Sequence, residues 1–169
     1  MLFSVNKAHR TDPYKNFKFR VYLEGNQDPV AGLSKMSALK KITEVIEWRE
    51  AGASDSVIRK MPGRTKFEAI TLEAGLSHDS LFQEWANQVN HPEGDAKVSE
   101  RNYRKTVSVE VLNLAGQAVL RFNLKRAWVS EFQALPEMDG NANAVAITSI
   151  KIEHEGFALD ASLKEPTER

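Results

Sequence analysis

The sequence predicts a mainly β domain of the α+β class with a single helix, and three observations support this. Several short runs alternate apolar and polar residues with the period of two that a half-buried strand requires. Only one segment carries apolar residues at helical spacing. The length of 169 residues suits one domain with a hydrophobic core. We therefore expect an N-terminal arm over residues 1–16, one domain over 17–160 and a polar C-terminal tail over 161–169.

Eight segments have the periodicity and composition of strands. In one of the clearest, Val107, Val109 and Val111 alternate with polar residues. In the last segment the apolar positions shift from odd to even numbers, which predicts a β-bulge near Thr148 and Ser149. The predicted strands cover residues 17–23, 33–39, 42–49, 66–73, 106–112, 119–124, 127–132 and 145–154.

The one predicted helix lies between the fourth and fifth of these strands. Ser77 or Asp79 can cap its start, and the sequence His-Pro-Glu-Gly at 91–94 ends it. Its apolar residues form a single stripe of Leu81, Phe82, Trp85, Ala86 and Val89.

The segment 50–63 shows no clean period, and we predict an extended loop there. Ordering about 14 backbone residues costs roughly 14–28 kcal/mol. Its apolar side chains Val57, Ile58 and Met61 each return only about 1.5–3 kcal/mol even when fully buried. Loops of this length are usually functional or disordered. The loop is therefore either mobile or ordered by contact with another chain.

Composition excludes several classes of protein. There are 23 Lys and Arg against 23 Asp and Glu, so the formal net charge is zero and a strongly basic nucleic-acid binder is not indicated. The absence of cysteine excludes disulfides, thiolate zinc sites and cysteine nucleophiles. The first residues lack the pattern of a secretory signal, and no apolar run is long enough to span a bilayer. We expect assembly in the cytoplasm and no stable membrane insertion.

No group of residues indicates an enzyme, a metal site or a cofactor. Ser37 and Lys40 have the Ser-x-x-Lys spacing of some acyl-serine enzymes, but the companion motifs are missing. Paired carboxylates lie on polar strand faces, where nothing raises a pKa for acid–base work. The run 101–105, Arg-Asn-Tyr-Arg-Lys, can grip phosphate or a single strand, yet such a run is more often a polar strand edge. The four histidines are scattered along the chain; His154 is expected to form a local hydrogen bond at a strand end.

An ordered set of short motifs gives the chain a specific resemblance. The motifs run from Asp-Pro-Tyr at 12–14, through Val-Ile-Glu-Trp-Arg-Glu-Ala-Gly at 45–52 and Met-Pro-Gly at 61–63, to Ala-Trp at 127–128 and His-Glu-Gly at 154–156. In order and spacing the chain resembles the tail tube proteins of contractile phages and of phage-derived contractile injection systems. It departs from them at Val129, where many relatives have proline, and in the arm before Asp12.

The resemblance implies a small β-sandwich or barrel-like domain with one flanking helix. It also implies six-membered rings whose inner strands join into one continuous β-barrel around a lumen. Such rings stack into a rigid tube inside a contractile sheath, and contraction drives the tube through a target envelope. The implied partners are further copies of the chain, the sheath protein, a baseplate or tube initiator, a tape-measure or cap protein, and a lumen cargo of effector protein or DNA.

The resemblance and the residue patterns together assign three sets of surface residues. The helix is expected on the outside of the tube, with Asp79, Glu84 and Glu93 toward the sheath. Residues expected to face the lumen or a ring interface are Lys40, Lys41, Glu44 and Glu47. Residues expected to contact the adjacent ring through the loop are Glu50, Ser54, Asp55, Val57, Ile58, Arg59, Lys60 and Met61.

Three alternative functions stay open from the sequence. The nearest are a tube initiator or baseplate paralogue and a ring protein of a type VI secretion apparatus. A monomeric β-barrel carrier of a small ligand is more remote, because it requires an apolar pocket inside one subunit.

Overall fold

The computed structural model describes residues 12–52, 57–98 and 101–166. Within them the chain forms nine strands, one α-helix and a single 3₁₀ turn over Asp95–Lys97. The strands and the helix are, in chain order, β1 Phe19–Leu23, β2 Leu33–Met36, β3 Lys41–Trp48, β4 Arg59–Phe67, β5 Ile70–Gly75, α1 Leu81–Val89, β6 Lys105–Leu112, β7 Ala118–Gln133, β8 Ile147–Glu153 and β9 Phe157–Leu159.

Strand β7 organises the domain because it takes part in both halves of the large sheet. Its first half pairs with β6 and β9, and its second half pairs with β8. The sheet order is β1-β6-β7-β8-β5-β2. Arg126 has a φ of 52° between the two halves, a left-handed conformation that allows a strand to change direction. The sheet therefore bends around one core, which confirms the predicted sheet-rich domain with a single helix.

The core lies between the two halves of the sheet and beneath α1. Alternate residues of β5 are buried, as the period of two requires. From α1, Phe82 and Trp85 enter the same core, and the Trp85 indole Nε1 donates a hydrogen bond of 2.8 Å to the Tyr103 carbonyl. The largest fully buried side chains are Trp85, Ile70, Leu72, Leu124, Ile150, Ile152, Val21 and Val107.

The helix α1 has the bounds that its apolar stripe predicts. At its start the Asp79 carboxylate accepts a hydrogen bond of 3.0 Å from the Leu81 backbone N–H, which has no partner within the helix. The Ser77 hydroxyl instead accepts from the Asp79 backbone N–H at 3.3 Å. Neither predicted residue occupies the N-cap position, which is Ser80, although Asp79 accepts a bond from the first turn from the position before it.

The predicted loop 50–63 is too long, because β4 already begins at Arg59. Four of its residues, Arg59, Lys60, Met61 and Pro62, pair with β3. The period-two alternation of a strand is interrupted in β4 at Pro62 and Gly63. The pairing register also shifts beside them, which leaves one extra residue on β4. The predicted strand 66–73 is likewise two strands, since β4 ends at Phe67 and β5 begins at Ile70.

The predicted bulge in the last strand is wrong. Strand β8 pairs with β5 in an unbroken register from Ile147 to Ile152. The extra residue lies on β7 instead, where the pairing with β8 shifts between Val129 and Glu131. The two predicted strands 119–124 and 127–132 are accordingly halves of the continuous β7.

A charged network ties β9 to the sheet. The carboxylate of Glu110, which is buried, accepts a hydrogen bond of 2.9 Å from the Arg121 Nε. Another nitrogen of the same guanidinium lies 3.5 Å from the Asp160 carboxylate, directly after β9. The hydrogen bond that Arg121 donates to Glu110 also raises the pKa of Arg121. A buried carboxylate is tolerated here because the guanidinium pairs with it.

We expect Trp85→Ala to lower the free energy of unfolding by about 3–5 kcal/mol, because it opens a cavity and removes the bond to Tyr103. Urea denaturation at a protein concentration too low for assembly measures this. Phe17→Ala is the matched control: Phe17 is 65% exposed, so the change there should stay within about 0.5 kcal/mol. Equal losses for the two variants would contradict this packing.

The Asp160 carboxylate has a lowered pKa, first because the Ser162 hydroxyl donates to it at 2.6 Å and then because the Ser162 backbone N–H and Arg121 also favour its charged form. A lowered pKa stabilises the folded chain above the unfolded pKa, and this contribution is lost as the pH falls below about 4. We expect Ser162→Ala to raise the pKa of Asp160, while Ser162→Thr preserves it. Carbon-detected NMR titration measures both, and an unchanged pKa in Ser162→Ala contradicts the assignment.

Candidate assembly surface

Strands β3 and β4 form a two-stranded hairpin that lies outside the large sheet. They pair with each other in an antiparallel register from Lys41↔Phe67 to Trp48↔Arg59. Every residue of β3 is exposed. Within the described residues neither strand pairs with another, so both outer edges are open. With about 3.3 Å per residue, eight residues project roughly 26 Å. A lone hairpin of two strands is only marginally stable in water.

The two faces of the hairpin differ in polarity, because successive side chains of a strand point to opposite sides. One face, called here the apolar face, carries Ile42, Ile46, Trp48 and Met61, which are 43–47% exposed, together with the charged residues Glu44, Arg59 and Lys66. The opposite face, called the polar face, carries Lys41, Thr43, Val45, Glu47, Lys60, Pro62, Thr65 and, at the base, Phe67. On the polar face the hydroxyls of Thr43 and Thr65 lie 2.9 Å apart across the strands.

The structure separates the two glutamates predicted for the lumen or a ring interface. Glu44 shares the apolar face and forms an ion pair of 2.7 Å with Lys66, which raises the pKa of Lys66. Glu47 lies on the polar face, 3.4 Å from Lys60. Both pairs are solvent-exposed and contribute little to stability. Glu47 lies directly across from Lys60, whereas Glu44 reaches Lys66 diagonally, because Lys66 pairs with Ile42.

The other predicted hairpin residues lie at its base and its tip. Lys40 forms an ion pair of 3.6 Å with Glu68 at the base, beside Lys41. At the tip, Val57 is 63% and Ile58 52% exposed, and Glu50 is also exposed. The remaining predicted contacts, Ser54 and Asp55, lie outside the described residues.

Aromatic packing holds the base of the hairpin against the domain. The Phe67 ring lies 5.8 Å from the ring centroids of both His154 and Phe157. It also lies over Gly156, whose φ of 143° is unfavourable for other residues and where a Cβ would meet the Phe67 ring at 3.5 Å. The His154 Nε2 donates a hydrogen bond of 2.9 Å to the Glu68 carbonyl.

The carbonyl of Glu68 can only accept a hydrogen bond, so the proton of His154 lies on Nε2. The other ring nitrogen, Nδ1, is buried and has no hydrogen-bond partner. The sequence predicts a local bond for this histidine, whereas the actual partner lies 86 residues earlier in the chain. The periodicity of the sequence predicts neither the His154 hydrogen bond nor the packing of Phe67. Both depend on how segments that are distant in the sequence meet in the fold.

The remaining candidate residues behave as surface or structural groups. Asp79, Glu84 and Glu93 are all exposed on or beside α1. The Ser37 hydroxyl accepts a hydrogen bond of 2.8 Å from the Thr71 backbone N–H, so it serves the junction between β2 and β5.

Among the residues that the structure describes, no group of three or more His, Asp or Glu side chains is placed to hold a metal ion. No helix in the described ranges is long and apolar enough to cross a membrane.

An exposed, two-faced hairpin on a bent β-sheet domain is typical of a subunit that assembles through its strands. The family model of the T4-like virus tail tube protein gp19 matches residues 15–158. The chain therefore belongs to this family of contractile-tail tube proteins, and it is a tube-forming structural protein, not an enzyme. Comparison with curated protein sequences gives no significant match.

Solved structures share the fold at low sequence identity. A chain in the cryo-EM structure of the anti-feeding prophage (AFP) baseplate is 17% identical, with a TM-score of 0.72 over 89% of this chain and 97% of the other. A chain of the PVC extracellular contractile injection system sheath–tube complex is 20% identical, with a TM-score of 0.70 over 88% and 92%. A chain in the AFP tube-terminating cap is 20% identical, with a TM-score of 0.72 over 95% and 99%.

We expect His154→Phe to loosen the base of the hairpin, because the Glu68 carbonyl loses its donor while the ring packing remains. The loss of such a hydrogen bond costs about 0.5–1.5 kcal/mol. Amide hydrogen exchange at Glu68, whose N–H donates to the Lys40 carbonyl at 3.1 Å, should accelerate up to about tenfold. His154→Gln can still donate from its side-chain amide and should restore slow exchange. Equal exchange in the two variants would rule out a specific role for the hydrogen bond.

Proposed function

We propose that this chain forms six-membered rings that stack into the rigid inner tube of a contractile phage tail or contractile injection system. The observation that carries the proposal is the β3–β4 hairpin, which has two open edges and an exposed apolar face. Open strand edges pair readily with another chain, and a closed ring leaves no edge unpaired. In this proposal the hairpins of neighbouring copies lie side by side and form one continuous barrel around a lumen.

The different polarity of the two faces gives the hairpin an orientation in the ring. The polar face, with Lys41, Glu47 and Lys60, would line a water-filled lumen, as in large barrels with polar interiors. The apolar face, with Ile46 and Trp48, would be covered by neighbouring protein. Of the two glutamates expected in one of these places, Glu47 is then the lumen residue and Glu44 the interface residue.

The tip of the hairpin is proposed to contact the adjacent ring. Val57 and Ile58 expose more than half of their side-chain surface there, and Arg59 follows them directly. Burying these apolar side chains against the next ring would order the segment that a lone subunit cannot stabilise by itself. Glu50, Ser54 and Asp55 belong to the same proposed contact.

The surroundings of the tube are proposed from the family and from the surface charges. Asp79, Glu84 and Glu93 would face the sheath, where exposed charges give contacts of only about 0–1 kcal/mol that a sliding surface can break. The chain would meet a baseplate or initiator at one end of the tube and a tape-measure or cap protein within or at the other end. Sheath contraction would drive the tube, with effector protein or DNA in its lumen, through the target envelope.

A tube initiator in the baseplate is the second candidate, favoured by the similarity to a chain of the AFP baseplate structure. A type VI secretion ring protein is less well supported, since the family match is to phage tail tubes. The carrier alternative has little support. The pocket between the start of α1 and the sheet, lined by Phe82 and Phe132, has a volume of about 90 Å³. Sites for small ligands are typically about 300–1,000 Å³. The depression beside Trp128 is larger, about 550 Å³, but it is open to solvent and does not lie inside the subunit.

The experiment that tests this function compares two neighbouring residues of β3. In Ile46→Asp a charge enters the apolar face, so rings and tubes should be lost while the subunit stays folded. Val45→Asp places the same charge one residue away on the polar face, where Val45 is 62% exposed, and assembly should persist. Negative-stain microscopy and sedimentation of the purified chains measure assembly, and circular dichroism measures folding. A wild-type chain that stays monomeric would refute the proposed function, and equal assembly of both variants would refute the assigned faces.

A further inference from the structure

A basic groove lies at the start of β6, away from the hairpin faces. Four of its lining residues are cations: Arg101, Arg104, Lys105 and Arg126. The sequence alone groups the first three, and the bend in β7 adds Arg126. Glu24 also lines the groove, but its carboxylate accepts a hydrogen bond of 2.7 Å from the Thr106 backbone N–H.

The groove keeps positive charge after its internal pairs are formed. Glu155 lies 2.8 Å from the Arg126 Nε and 3.9 Å from the Arg104 Nε, so one carboxylate serves two guanidinium groups. Four cations against Glu24 and Glu155 leave a charge of about +2. Arg101 and Lys105 form no ion pair with any residue that the structure describes.

A depression of mixed polarity, which contains aromatic and aliphatic side chains, adjoins the basic groove. It has a volume of about 550 Å³, and its lining residues are Val89, Val98, Tyr103, Arg104 and Trp128. Arg104 belongs to both surfaces, and its guanidinium lies 4.5 Å above the Tyr103 ring. A matching ligand therefore combines negative charge with exposed apolar side chains a few residues away.

The loop 134–146, between β7 and β8, has this combination. It contains Glu137 and Asp139 but no Lys, Arg or His, so its charge is about −2. Leu135 is 59% and Met138 66% exposed. Asp139 accepts the Asn141 backbone N–H at 2.9 Å, which shapes the loop, whereas Glu137 has no ion-pair partner among the described residues.

We infer that the loop 134–146 of one copy docks on the basic groove and the adjoining depression of a neighbouring copy. Glu137 would meet Arg101, and Met138 or Leu135 would enter the depression beside Trp128. The contact is heterologous, since it joins two different surfaces of the same chain, as a closed head-to-tail ring requires. This inference rests on the proposed assembly of copies. It adds a second contact, which depends on complementary charges and does not involve the hairpin.

A charge exchange tests the contact in the full chain. Arg101→Glu and Glu137→Lys each place like charges together, and each alone should raise the concentration needed for assembly about tenfold or more. An equimolar mixture of the two variants should assemble at the wild-type concentration. The loop of Glu137→Lys then meets the groove of Arg101→Glu with opposite charge, and the unaltered loop meets the unaltered groove. Asp28→Lys is the control: Asp28 is exposed in a different loop, and mixing it with Arg101→Glu should rescue nothing.

Paired cysteines supply an independent measurement, because the chain has no cysteine of its own. Arg101→Cys/Glu137→Cys should give a ladder of oligomers linked by disulfides, and a mixture of the two single variants should give dimers only. Wild-type tubes without any effect of the charge variants, or without rescue on mixing, would overturn the docking but not the proposed tube. A wild-type chain that never assembles would overturn both. Weaker binding of single-stranded DNA by Arg101→Glu with unchanged assembly would assign the groove to nucleic acid instead.

Discussion

The hydrogen-bonded pairing of β3 with β4 is the constraint on which the rest of the structure depends. It projects eight residues away from the core and satisfies their backbone groups only on the inner edges. The side chains of Ile42, Ile46, Trp48 and Met61 are thereby left about half exposed on one face. Within the described residues this face is not part of the core, which lies elsewhere. An exposed apolar face of this kind is typical of a surface that contacts other protein, and we propose that neighbouring copies cover it.

A projecting hairpin is useful for assembly only if its direction is fixed. Here the direction is fixed at the base, where the Phe67 ring lies between His154, Phe157 and Gly156 and where His154 donates to the Glu68 carbonyl. These contacts join the hairpin to the segment between β8 and β9. Strand β8 pairs with the second half of β7, and β9 pairs with the first half. The hairpin is therefore held by the strand that also bends the sheet around the core.

The sequence predicts those parts of the fold in which one face of an element is buried. The helix α1 and strands such as β6 bury alternate or periodic residues, so their bounds follow closely from the pattern. Strand β4 is exposed on both faces and contains Pro62 and Gly63, so nothing in its composition indicates a strand. Its pairing with β3 depends on tertiary structure, which local β-propensity does not predict. The sequence predicts a bulge in β8 because the apolar positions change phase there. The extra residue instead lies on β7, the strand that pairs with β8.

Charge balance has a physical meaning in a chain that is proposed to repeat many times along one axis. Any net charge on the subunit would be repeated in every ring, and the mutual repulsion of the rings would oppose stacking. The formal net charge is zero, with 23 groups of each sign. The charges are nevertheless segregated, with a positive groove beside β6 and a negative loop after β7. A neutral subunit with separated charges can attract its neighbours in one orientation without repelling the assembly as a whole, because specificity depends on where the charges lie and not on their sum.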